Sequence, residues 1–115
     1  MAINLYLQLD RFVHLKFDEE TIDNNALALY ATLLVFINRN NWRATAISQH
    51  KLMTYTKISK PTFLKARRAL IDSGALKMAS DPYNRLTPYY VIIRLYREAE
   101  IENPGKPHLA MFTPN

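Results

Sequence analysis

Ile58-Ser59-Lys60-Pro61-Thr62-Phe63-Leu64-Lys65-Ala66-Arg67-Arg68-Ala69-Leu70-Ile71-Asp72-Ser73-Gly74 reads as one amphipathic helix, and its placement decides the fold. Ser59 is an N-cap residue whose hydroxyl can accept from a first-turn amide, and Pro61 suits a turn that needs no donor there. Gly74 marks the stop, because a residue without Cβ enters the left-handed C′ conformation at little steric cost. At about 100° per residue, Phe63, Ala66 and Leu70 share one face. Pro61, Lys65, Arg68 and Asp72 lie opposite, with Leu64 and Ile71 at the edge. One face packs and the other is cationic. A solvated surface helix would share this pattern, so its neighbours carry the decision.

Residues 48–55 form a shorter helical segment, and only residues 56–58 separate it from Ser59. Two helices joined by so short a turn must cross steeply, as in a helix-turn-helix whose second helix enters the DNA major groove. Ile47, ahead of the Ser48 cap, can pack on Leu52 as a hydrophobic staple. After Gly74 come Leu76 and the turn chemistry of Asp81-Pro82-Tyr83-Asn84, with Pro at the second position of a type I turn. The β-branched and aromatic run 89–96 then favours a strand. The expected fold is mainly α with a small β-hairpin: a winged helix-turn-helix with a three-helix core, a wing and an extra N-terminal helix.

Upstream, Asp23 is the expected N-cap of the longest helix, residues 24–40, which has almost no polar stripe and should be surrounded on several sides. Trp42 at its end can cover the junction to the next helix or stack on a base, and packing is the commoner role. Residues 3–17 are ambiguous. Ile3, Leu5, Leu7 and Leu9 alternate like a strand, whereas Leu5, Leu9, Phe12 and Lys16 with Val13 follow a helical face. So apolar a segment needs a partner surface, in its own domain or on a second subunit. The winged domain is expected over residues 1–96. Residues 97–115 are expected to be a linker or an arm that docks Leu109, Met111 and Phe112 on a neighbouring chain.

At 115 residues and 49% hydrophobic, the chain fits one domain with one core. Its net charge of +5 is unevenly distributed. Residues 1–42 carry three Lys/Arg against five Asp/Glu, residues 43–77 eight against one, and residues 78–115 four against four. The basicity therefore concentrates in the helix-turn-helix, where a polyanion would dock. No apolar run is long enough to span a bilayer and residues 1–9 lack a basic n-region, so cytoplasmic residence and no membrane partner are expected. With no cysteine, three scattered histidines and two glycines, the chain offers no thiolate site, metal-ligand spacing or phosphate loop. The acidic run Asp18-Glu19-Glu20 has no adjacent ligand set or nucleophile. No cofactor, metal site or enzymatic activity is expected.

Gln8-Leu9 with Arg11-Phe12, Ala28-Leu29-Tyr30 with Leu33-Leu34, Asn41-Trp42, Leu52-Met53, Ile58-Ser59, Lys65-Ala66-Arg67, the ending Leu70 to Gly74, and Tyr89-Tyr90 carry a resemblance. Over residues 4–96 the chain resembles the N-terminal winged-helix domains of DnaD-like primosomal proteins and phage replisome organisers, of the Bacteroidetes type. The resemblance implies a helical N-terminal segment, a domain that can self-associate, and in many members a C-terminal region with its own contacts. Lys57 stands where the family pattern has Gly in the turn, and Thr56 where it has Leu.

The function expected is non-catalytic DNA binding, of replication-initiation or mobile-element type. Ser59, Lys60, Thr62, Lys65 and Arg68 would face the major groove, Lys51 and Lys57 the phosphates, and Lys77 with Arg85 the flank through the wing. Arg85 reads equally well as a solvated loop charge, and Arg67 as a bridge to a core-edge acid. Lysines predominate, so phosphates would supply most of the affinity, with about four to six neutralised and a log-log salt slope of about −4 to −5. The expected partners are DNA, a second copy as a dimer or higher oligomer, and replisome proteins. The competing reading is an oligomerisation or interaction module on the same scaffold, or a transcriptional regulator.

Overall fold

In the computed structural model, which describes residues 3–15 and 22–97 apart from the side chains of Leu15 and Arg85, the described residues form four helices and three strands. The elements in order are α1 (Leu5–Leu15), α2 (Asn24–Arg39), β1 (Thr45–Ala46), α3 (Gln49–Thr56), α4 (Lys60–Asp72), β2 (Leu76–Asp81) and β3 (Asn84–Ile92). The fold is mainly helical with a small antiparallel sheet of strand order β1-β3-β2. The acidic run at 18–20 and the tail from 98 onward lie outside the described residues.

Asp23 stays extended and its Oδ1 accepts from the Ala26 N–H at 2.9 Å, starting α2 as expected. This helix buries Ala26, Leu29, Tyr30, Leu33, Leu34 and Ile37 and touches α1, α3, α4 and β3. Each large side chain so buried contributes about 1.5–3 kcal/mol. Trp42 is half-buried against the same core. Both Asn41 (φ 57°) and Trp42 (φ 62°) turn left-handed to redirect the chain into β1.

Residues 5–15 are helical, but the buried face is not the apolar one that the periodicity suggests. Leu7, Gln8 and Phe12 point inward, while Leu5, Leu9 and Val13 are exposed. Hydrogen bonding accounts for the rotation. Gln8 Nε2 donates to the Tyr30 hydroxyl (2.8 Å) and the Ile93 carbonyl (2.8 Å), and its Oε1 accepts from the Leu95 N–H (3.0 Å). A buried amide with its donors and acceptor satisfied joins α1, α2 and the end of the sheet. Phe12 stacks on Tyr30 at 3.8 Å between ring centroids.

Ser48 caps α3 through its Oγ, which accepts from the Lys51 N–H at 3.0 Å. Ile47 and Leu52 are both buried in the core, as a staple requires. Lys57 closes the helix at φ 57°, ψ 35°, with its N–H donated to the Met53 carbonyl (2.8 Å). It thus adopts the left-handed conformation that a glycine takes freely, and the turn keeps that geometry despite the lysine. The Ser59 hydroxyl departs from its expected capping role: it donates to Thr62 Oγ1 (3.1 Å) and accepts from no first-turn amide. α4 buries Phe63, Ala66, Ala69 and Leu70. It ends in a Schellman motif, with Gly74 at φ 83° donating to Ile71 and Ala75 donating to Leu70.

The second hairpin strand begins earlier than the aromatic run suggested, at Asn84, and ends at Ile92 rather than residue 96. Asp81 pairs with Asn84 across Pro82-Tyr83, and the register shifts between Ala79 and Asp81, where β3 carries three more residues than β2. Neither Pro82 nor Tyr83 has positive φ, as a type I turn requires. β1 was not anticipated. Its two residues pair with Tyr89 and Tyr90, too short a run to show alternation. No helix among the described residues is long and apolar enough to cross a membrane.

Candidate nucleic-acid interface

Burial of Phe63, Ala66, Ala69 and Leu70 against α2 leaves Lys60, Leu64, Lys65 and Arg68 on the solvent side of α4. Lys60, Leu64 and Arg68 follow one another at helical spacing along a line of about 12 Å, the width of a major groove. Lys65 lies one turn from Arg68 on the same side. Arg68 has one acid nearby, Asp72, with 3.9 Å between the charged atoms and both side chains about two-thirds exposed (70% and 65%). An exposed pair this long neutralises little. Among the described residues, Lys60 and Lys65 pair with no carboxylate. Thr62, at the N-terminal end, is half-buried and is held by Ser59.

The remaining predicted residues separate from this row. Lys57, exposed in the turn, sits three residues before Lys60 and extends the basic surface beyond the N-terminal end of α4. Lys51 does not join it: its ammonium lies 4.9 Å from the Phe36 ring centroid on α2, a cation–π contact that holds it against that helix. Lys77 pairs with Val91 in the sheet, on the face opposite the Met78–Tyr90 rung that looks toward the helices. Strand alternation therefore turns Lys77 away from α4. The Arg85 side chain lies outside the described residues.

Arg67 corrects the expectation of an acid bridge. Its Nη1 donates to the Tyr90 hydroxyl (3.1 Å) and, more weakly, to Gln49 Oε1 (3.5 Å), and its guanidinium lies 5.2 Å from the Phe63 ring centroid. One side chain thus connects α3, α4 and β3 through neutral acceptors. Burial pushes the Tyr90 phenol above its ordinary value, and the Arg67 bond partly opposes that shift. Burial raises the Tyr30 phenol still further, against the bond from Gln8.

Elsewhere a cavity of about 480 Å³ is lined by Ile71 and Gly74 at the end of α4 and by Lys77, Met78 and Val91 of the sheet. It lacks converging polar groups of the kind a reacting site needs. No cluster of His, Asp or Glu suited to a metal ion occurs among the described residues.

The features that sequence reasoning missed were Gln8, which ties the sheet to the helices, and the exposed apolar side chains at the tip of the β2–β3 hairpin. There Tyr83 and Leu86 are exposed. Aromatic and aliphatic residues beside a predicted turn were the available signal. In comparisons with family models, curated proteins and solved structures, no match is found for this chain.

Proposed function

We propose that the protein is a non-catalytic DNA-binding winged helix, with α3 and α4 as the helix-turn-helix, α4 as the groove-reading helix and the β2–β3 hairpin as the wing. The observation that carries this reading is the cationic row Lys60, Lys65 and Arg68, extended by Lys57, on the solvent face of a helix whose other face is buried. The region 43–77 carries eight Lys/Arg against one Asp/Glu, a density that suits phosphate. Ser59 and Thr62 add hydroxyls at the end of α4 nearest the turn. The resemblance to primosomal and replisome-organiser domains adds a replication or mobile-element setting to the proposal.

With Lys51 and Lys77 turned elsewhere, about four phosphate contacts remain, giving a log-log salt slope of about −3.6. Fluorescence anisotropy with a labelled duplex, titrated between about 50 and 200 mM salt, tests it. Lys65→Ala with Arg68→Ala should weaken binding and flatten the slope by nearly two. An unchanged binding curve for the double variant removes the proposal.

A second reading rests on α1, where Tyr6 (61% exposed), Leu9 (39%) and Val13 (41%) form an apolar stripe beside Leu5. Self-association through this stripe is compatible with DNA binding, and a dimer would place two basic rows on one assembly. Alone, it would make the domain an interaction module. A solution mass twice that of the chain, together with no duplex affinity, would favour this second reading.

A further inference from the structure

Tyr83 stands at the end of the hairpin with 97% of its surface exposed, and Leu86 beside it is 75% exposed. The turn that carries Tyr83 is stiff. Pro82 fixes its own φ, Asp81 Oδ1 accepts from the Tyr83 N–H (2.8 Å), and Asn84 Oδ1 accepts from the Leu86 N–H (3.2 Å). At its base the hairpin is fastened to α4 through Tyr90, which is fully buried and bonded to Arg67. From the Met78–Tyr90 rung β2 runs three residues to Asp81, about 10 Å of extended chain, before the chain reverses at Pro82-Tyr83. Tyr83 therefore stands exposed at the end of a stem whose base is joined to the helix that carries the basic row.

We propose that Tyr83 is a base-stacking residue that seats the hairpin tip on an unpaired base, so that the protein prefers a junction of single and double strands to continuous duplex. The inference rests on the DNA-binding reading above. An aromatic ring on a preorganised stem loses little freedom when it stacks, and it tolerates any base. Within a continuous duplex every base face is already covered by its neighbours. An unpaired base can swing out and turn a free π-face to the ring, which a base held in a pair, even a terminal one, cannot. The tip also carries balanced charge, Asp81 against Arg85, so its contribution is aromatic surface rather than attraction to phosphate. Affinity gained there should persist as salt rises, whereas the contribution of α4 should fall.

The test uses the full chain with a blunt duplex and with the same duplex bearing a single-stranded tail, the first unpaired base being 2-aminopurine. One stacked base should make the tailed DNA bind about tenfold more tightly, with the ratio maintained at higher salt. The 2-aminopurine emission should be quenched on binding. Tyr83→Ala, a change at an exposed position, should bring the ratio to one and abolish the quenching while leaving duplex affinity and salt slope intact, and Tyr83→Phe should retain both effects. Equal affinity of the wild type for the two DNAs, or a tail preference that survives Tyr83→Ala, overturns the inference and leaves the duplex reading standing. Absence of binding to either DNA overturns both.

Discussion

Replacing Lys57 with glycine should stabilise the domain and weaken its hold on DNA, because backbone and side chain at this residue are under opposing demands. The backbone sits at φ 57°, ψ 35°, where a residue with a Cβ incurs a cost of about 1–2 kcal/mol. Glycine removes that cost but brings a more flexible unfolded chain, which returns about 0.5–1 kcal/mol. The net gain is about 0.5–1 kcal/mol, or roughly 2–6 °C in melting temperature for a domain of this size. The bond from the residue 57 N–H to Met53 that ends α3 is kept, since glycine retains the amide. If Lys57 meets a phosphate, its loss should reduce the salt slope by about 0.9.

Thermal melts followed by circular dichroism and anisotropy titrations at several salt concentrations measure the two effects separately. Lys57→Ala serves as one control, since it removes the charge and leaves the strain: binding should weaken with no rise in melting temperature. Gly74→Ala is the reverse control. An added Cβ at φ 83° meets nothing within 4 Å, so any loss of stability there is conformational rather than steric. A Lys57→Gly melting temperature at or below that of the wild type would refute the strain argument. An unaltered salt slope would remove Lys57 from the interface.

Two further outcomes follow from the helix caps and the buried phenols. Ser48→Ala should cost about 1 kcal/mol by denaturant titration, because it strips an amide acceptor from α3, whereas Ser59→Ala should be nearly neutral because that hydroxyl caps no amide; equal losses would contradict the assignment. Burial raises the phenols of Tyr30 and Tyr90, so as pH climbs through about 10 the unfolded chain releases these protons first, and stability should fall by up to about 1.4 kcal/mol per pH unit per group. Denaturant midpoints followed through that range should decline, and less steeply in Tyr30→Phe; an unchanged slope in that variant would exclude Tyr30 as a source.

The parts of the fold legible in the sequence were those fixed by local chemistry. Asp23, Ser48 and Gly74 act within three or four residues of themselves, so a linear reading found the helix ends they make. Pattern also exposed the buried faces of α2 and α4, because both are lined by apolar side chains at helical spacing. α1 broke the rule. Its apolar face is exposed and its buried face includes Gln8, whose partners Ile93 and Leu95 lie 85 and 87 residues away. Periodicity cannot detect an inward-facing amide whose acceptors and donor come from the far end of the chain. The same distance effect hid β1, a two-residue strand defined by its partner. For the candidate site, helical spacing placed Lys60, Lys65 and Arg68 together, but it could not show that Lys51 lies against Phe36 or that Lys77 stands on the other face of the sheet, because cation–π contact and strand alternation act between elements.

The charge arrangement of α4 is the reverse of what an isolated helix favours. Its first turn holds no acid and its last turn no base; instead Lys60 sits at the positive N-terminal pole and Asp72 at the negative C-terminal pole. Each such placement opposes the macrodipole by about 0.3–1 kcal/mol. α3 repeats the pattern in part, with no acid in its first turn and no base in its last. Stability of α4 alone would place a carboxylate where Lys60 stands, whereas Lys57, at the C-terminal end of α3, suits the dipole of that helix. The term at Lys60 is offset once an anion lies against the N-terminal end of α4, because dipole and ammonium both attract it. Lys60, set against its own helix dipole on a face that buries nothing, is not favoured by folding alone, and that placement supports the proposed polyanionic partner.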